Sequence, residues 1–120
     1  MRRGVIVAAG VVTLVPAAAQ AMTVAEFLGK ADALQARGFT AMFSSDIGLL
    51  KAEIKGASVA YRADLAAGRP PRSCPPPIGT VKTSSDELLA AFRAVPAAER
   101  TKLSVRAAFA NYMTKRFPCR

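Results

Sequence analysis

Residues 96–119, Pro-Ala-Ala-Glu-Arg-Thr-Lys-Leu-Ser-Val-Arg-Ala-Ala-Phe-Ala-Asn-Tyr-Met-Thr-Lys-Arg-Phe-Pro-Cys, decide the fold of this chain. Pro96 suits the first position of a helix, where its missing N–H is no loss, and Glu99 falls in the first turn, near the positive end of the helix dipole. Leu103, Ala107, Ala110, Met113 and Phe117 then recur at three- and four-residue spacing, and Val105, Phe109 and Tyr112 widen the stripe. An apolar face this broad needs more than one neighbour to cover it, so the stretch reads as a long central helix. Pro118 stops it, and Cys119 follows at once.

Moving towards the N-terminus, Ser84-Ser85-Asp86-Glu87 carries a Ser-x-x-Glu capping box, and Leu88, Leu89, Phe92 and Val95 make a short apolar face behind it. Residues 69–83 hold five prolines together with Gly79 and Cys74, which forbids a regular helix and predicts an extended, ordered loop. Within it, Pro75-Pro76-Pro77 is a stiff run that either braces the loop or presents its neighbours to an aromatic groove. Before the loop, Ile47, Leu50, Ile54, Ala57, Tyr61 and Leu65 line one face of a helix that starts after Ser44-Ser45-Asp46 and ends at Gly68, ahead of Pro70. Gly48 and Gly56 sit inside that helix and weaken it by about 1 kcal/mol each relative to alanine, a cost that close helix packing would explain. Earlier still, Thr23-Val24-Ala25-Glu26 is a capping box that opens a helix over Val24 to Arg37, with Gly38 at its end. Phe39, Met42 and Phe43 extend its apolar face by another turn or two. No stretch shows sustained period-two alternation, and no Asn-Gly or Asp-Gly turn joins two β-rich runs. The expected fold is therefore all-α, a small bundle of four to five helices.

Residues 1–21 read differently from all of this. Arg2 and Arg3 precede an apolar run from Gly4 to Val15, Pro16 breaks it, and Ala19-Gln20-Ala21 fits a small-x-small cleavage site. This is the pattern of a cleavable export signal, leaving a single domain of residues 22–120 in the periplasm; an uncleaved anchor is the competing reading, but the run falls short of the ~20 residues a spanning helix needs. Without Arg2 and Arg3 the domain has 15 Lys and Arg against 8 Asp and Glu, a net charge of +7, and no histidine. In an exported domain with two cysteines, oxidation is the default, so Cys74 and Cys119 are expected to pair. The bridge closes a loop of about 46 residues, worth about 4 kcal/mol by the loss of chain entropy in the unfolded state.

The residue inventory points away from catalysis. A metal site needs convergent His, Cys, Asp or Glu, but the chain offers no histidine, paired cysteines and scattered carboxylates, of which Glu26, Asp46, Asp86 and Glu87 sit at helix starts where capping accounts for them. A catalytic thiol would lack an activating histidine, and Ser44 or Ser45 near Lys51 reads more simply as a cap than as a serine–lysine pair. The expectation is a non-enzyme with no cofactor. Nucleic acid is not an expected partner either, because there is no compact basic run, stacking pair or zinc spacing. Arg62, Arg69, Arg72 and Lys82 do gather around the proline loop, as a solvated surface or as a cationic rim for an acidic partner.

Several features of the second half fall together: Cys74-Pro75, the Ser-capped helix at residue 84, the break at Val95-Pro96, and the last helix ending Phe117-Pro118-Cys119. In these the chain resembles the Rap/Tai family of periplasmic immunity proteins, which protect bacteria from cell-wall amidases delivered by type VI secretion. Tyr61 is similar to a tyrosine of that family. Members carry further cysteines near the first two helices, where this chain holds Ala57, Val59 and Ala60 around Tyr61. The resemblance implies a helical binding module that occludes a peptidoglycan amidase, with the bridged loop and the neighbouring helix ends as the plug; on that loop Arg72, Ile78 and Lys82 are the expected contact residues. The alternative expectation is an envelope protein held on anionic membrane or lipopolysaccharide by its positive charge. Homodimerisation through the wide apolar helices stays open.

Overall fold

A computed structural model of the chain describes Gly10, residues 22–70, 72–80 and 82–120. The expected export signal, residues 1–21, lies outside the described residues apart from Gly10. The described residues form five α-helices: α1 (Val24–Arg37), α2 (Ser45–Ala66), α3 (Ser85–Arg93), α4 (Ala97–Arg100) and α5 (Val105–Arg116). A 3-10 turn over Gly38–Phe43 links α1 to α2. Among the described residues the only β pairing is an isolated antiparallel bridge between Thr23 and Ser104. The all-α expectation holds.

Side-chain caps set where the helices start. The hydroxyl of Thr23 accepts from the Glu26 N–H at 3.2 Å, that of Ser44 from Asp46 N–H at 3.2 Å, that of Ser84 from Glu87 N–H at 3.1 Å and that of Ser104 from Ala107 N–H at 3.1 Å. Each satisfies one of the amides that a helix N-terminus leaves without a partner. At the other end of α2, Gly68 takes φ +69°. Its N–H donates to Leu65 O and that of Arg69 to Asp64 O, the paired bonds of a Schellman cap, which a left-handed glycine permits.

The last long helix departs from expectation. Residues 96–117 are not one helix: α4 lasts a single turn from its N-cap Pro96, the chain straightens at Ser104 (φ −73°, ψ 153°), and α5 starts afresh. Two hydrogen bonds from distant residues reward the break, since Val24 N–H donates to Leu103 O at 2.9 Å and Val105 N–H to Met22 O at 2.8 Å. The buried face of α5 is accordingly Val105, Ala108, Phe109 and Met113, while Ala107 and Ala110 of the expected stripe are only half-buried. Its central role is nonetheless as expected, because α5 packs on α2 above all and also on α1 and α3.

One core joins α1, α2, α3 and α5. Val24, Phe92 and Val105 are fully buried at its centre. Phe27 meets Phe92 edge to face at 5.3 Å, and Tyr61 meets Phe109 in the same manner at 5.9 Å, the geometry that aromatic quadrupoles favour. Phe39, Met42 and Phe43 do not extend this core. A 3-10 turn eclipses residues three apart, so only Ala41 turns inward, and Phe39 and Phe43 stand 90% and 92% exposed. Nor does packing explain Gly48, whose missing Cβ faces open space; a Cβ on Gly56 would meet Arg106 Nη2 at an ordinary 3.5 Å. Among the described residues no helix is long and apolar enough to cross a membrane.

Candidate functional site

The proline loop is held to the helices at several points. The Cys74–Cys119 disulfide forms, with Cα atoms 4.9 Å apart, and Cys74 N–H donates to Phe117 O at 2.8 Å beside it. One residue earlier the Ser73 side chain turns inward and is buried. Its Oγ accepts from Tyr61 Oη at 2.7 Å and lies 3.2 Å from Met113 O and 3.1 Å from Phe117 O, the carbonyls to which its own proton is donated. The hydroxyl pair thus spans α2, the loop and the end of α5. Further along, Arg62 Nη2 donates to Pro76 O at 3.1 Å. Pro77 to Thr80 then form a tight turn, closed by Thr80 N–H and Oγ1 on Pro77 O, with Gly79 at φ +88°. Positive φ at the third residue of a turn is what glycine supplies, and it leaves Ile78 at the tip, 82% exposed.

Pinned in this way, the loop becomes a wall of a groove of about 690 Å³. The α2 side consists of Ile47, Leu50, Lys51, Ile54, Lys55, Ser58, Val59 and Arg62. Opposite stand Ser85, Leu88 and Leu89 of α3 with Pro76 to Gly79, and α1 closes one end with Phe27, Ala31 and Leu34. The floor reaches the core at Phe109, Met113 and Phe117. Such a volume lies within the range of pockets that hold small molecules or anchor side chains. Every charged residue that lines it is a cation: Lys51, Lys55 and Arg62. None of the ion pairs among the described residues involves these three.

The chain matches no protein-family model, no curated protein and no solved structure.

Of the expected contact residues, the structure places Ile78 in the groove wall and leaves Arg72 and Lys82 exposed on the loop, outside the lining. Arg62, expected as part of a cationic rim, both braces the loop and lines the groove. Lys51 and Lys55, outside that expected rim, line the groove as well. Their signal was present, because each follows directly on an apolar residue of the α2 stripe, Leu50 or Ile54, and so edges whatever that stripe faces. Ser44 acts as a cap and Lys51 lines the groove, so the structure assigns the two to separate tasks. Among the described residues no three His, Cys, Asp or Glu side chains gather as a metal would need.

Proposed function

We propose that this chain is a periplasmic, non-catalytic binding module of immunity type, which neutralises a cell-wall amidase by occluding its active site. The observation that carries the reading is the Ile78 turn. It is apolar, almost fully exposed, and mounted on a loop fixed by a disulfide, the Tyr61–Ser73 hydroxyl pair and Arg62. A segment that plugs an active site binds best when it loses little freedom on docking, and these ties remove that freedom beforehand. The resemblance of Cys74-Pro75, the Ser84-capped helix, the break at Val95-Pro96 and Phe117-Pro118-Cys119 to the Rap/Tai family supplies the class of target. The test is inhibition of purified periplasmic peptidoglycan amidases: the wild-type protein inhibits one of them, Ile78→Asp loses at least about tenfold in affinity, and an Arg72→Ala/Lys82→Ala variant loses less. Equal inhibition by wild type and Ile78→Asp removes the turn from the interface.

A second reading, attachment to an anionic envelope surface, draws on Lys51, Lys55 and Arg62, which join no ion pair among the described residues, and on the +7 charge of residues 22–120. Sedimentation with anionic liposomes separates the two, because surface attachment collapses as salt rises while a plug seated in a protein persists.

A further inference from the structure

The groove is as informative as the turn on its wall. It runs between α2 and α3 and resembles the place of an absent helix: apolar residues from four helices, α1, α2, α3 and α5, face it, and the bundle leaves it open. Its charges are arranged along it. Lys51, Lys55 and Arg62 are spread over twelve residues of α2, about 16 Å of helix axis, rather than gathered at one mouth.

We infer that this groove receives an acidic amphipathic helix from a protein partner, an inference that rests on the protein-binding reading above and names what the partner presents. A helix in a groove sets apolar side chains at i, i+3 or i+4 and i+7 on the floor, and carboxylates on one edge of it then meet cations spaced by four and seven residues on the facing helix. A single-headed lipid or fatty acid concentrates its charge at one end and leaves most of this row unmatched. Residues 1–21 carry no Asp or Glu, so the chain's own leader matches the floor but not the rim. A second copy brings net positive charge to a positive edge, and of its acidic α3 residues Glu87 is already paired with Arg116 at 3.2 Å. Pairing as an added β-strand is not served, since the described residues offer no sheet edge.

The test uses two labelled peptides of about 18 residues, five helical turns, with the same leucine face and either Glu or Lys along one edge. Fluorescence anisotropy with the oxidised protein is expected to show the Glu peptide binding at least about tenfold more tightly, with a gain in helical circular dichroism on mixing. Lys51→Glu/Lys55→Glu, at two exposed positions, is expected to reverse that preference while thermal unfolding stays unchanged. Equal binding of the two peptides, or of neither, overturns the inference. So does uptake of sodium laurate without peptide discrimination, or a dimer in sedimentation that the charge reversal dissolves. The parent reading fails separately: an amidase inhibited equally by wild type and the charge-reversed variant leaves immunity standing and removes the groove, whereas peptide discrimination without amidase inhibition does the opposite.

Discussion

Replacing both Cys74 and Cys119 with alanine tests what the bridge contributes. The two residues are 45 apart in sequence, and loop-closure entropy for that separation is about 13 to 14 cal/mol/K, or about 4 kcal/mol at room temperature. The effect acts on the unfolded chain. In the folded protein Cys74 N–H still reaches Phe117 O, Ser73 still links Tyr61 to α5 and Arg62 still holds Pro76, so the loop keeps its place without the sulfurs. Helical circular dichroism in buffer should therefore be unchanged. Urea unfolding should shift its midpoint down by about 1 to 4 M, given slopes of about 1–3 kcal/mol per M, and the slope should rise because the uncrosslinked chain exposes more surface. Both cysteines are exposed, so wild-type protein in excess dithiothreitol should follow the same curve as the double variant. A midpoint shift under about 0.5 M with an unchanged slope would refute the argument, since it would mean that the cross-link does not restrict the unfolded ensemble.

Other substitutions read other parts of the structure. Ser73→Ala leaves the buried Tyr61 hydroxyl without its partner and should cost about 1–3 kcal/mol in urea unfolding, whereas Tyr61→Phe, which removes the hydroxyl itself, should cost about 1 kcal/mol; equal losses would mean that the hydroxyl pair is not the linkage described. Ser104→Ala should cost about 1 kcal/mol through the lost cap of α5, and the absence of any loss would restore a continuous helix from Pro96. Gly48→Ala should raise stability by about 1 kcal/mol, because the added Cβ meets open space on a helical backbone; a loss would indicate a neighbour at that face. Glu53→Met should also stabilise, by about 1 kcal/mol, since one oxygen of that carboxylate is buried with no hydrogen-bond partner among the described residues, and a fall in melting temperature would reveal one.

Much of this fold is legible in the sequence because its helix starts are written as local chemistry. Thr23, Ser44 and Ser84 each precede the apolar pattern they cap, and the structure finds all three accepting the expected amides. Ser104 performs the same task and was hidden, because Leu103 and Val105 on either side merge into one apolar stripe. What distinguishes it is the bond that Val24 N–H, far away in sequence, donates to Leu103 O, which no local pattern records. The exposure of Phe39, Met42 and Phe43 was hidden for a related reason: helical spacing says that residues share a face, while a 3-10 turn decides which way that face looks. The groove lies further still from the sequence. Its α2 side is visible as an apolar stripe edged by Lys51 and Lys55, but that α3 stands away from α2 depends on how both pack against α5. Ile78 was the accessible clue, since a Pro-Pro-Pro-Ile-Gly run places an apolar residue at the tip of a stiff turn.

The bridge between Thr23 and Ser104 changes how the molecule opens. The first amides of a helix have no partner within it and ordinarily trade their protons with water most readily. Here the leading amides of α1 and α5, on Val24 and Val105, are each hydrogen-bonded to a carbonyl from the other end of the chain, and both residues are wholly buried. Neither can meet solvent until α1 and α5 separate, so their deuterium uptake reports opening of the whole core rather than fraying of a helix end.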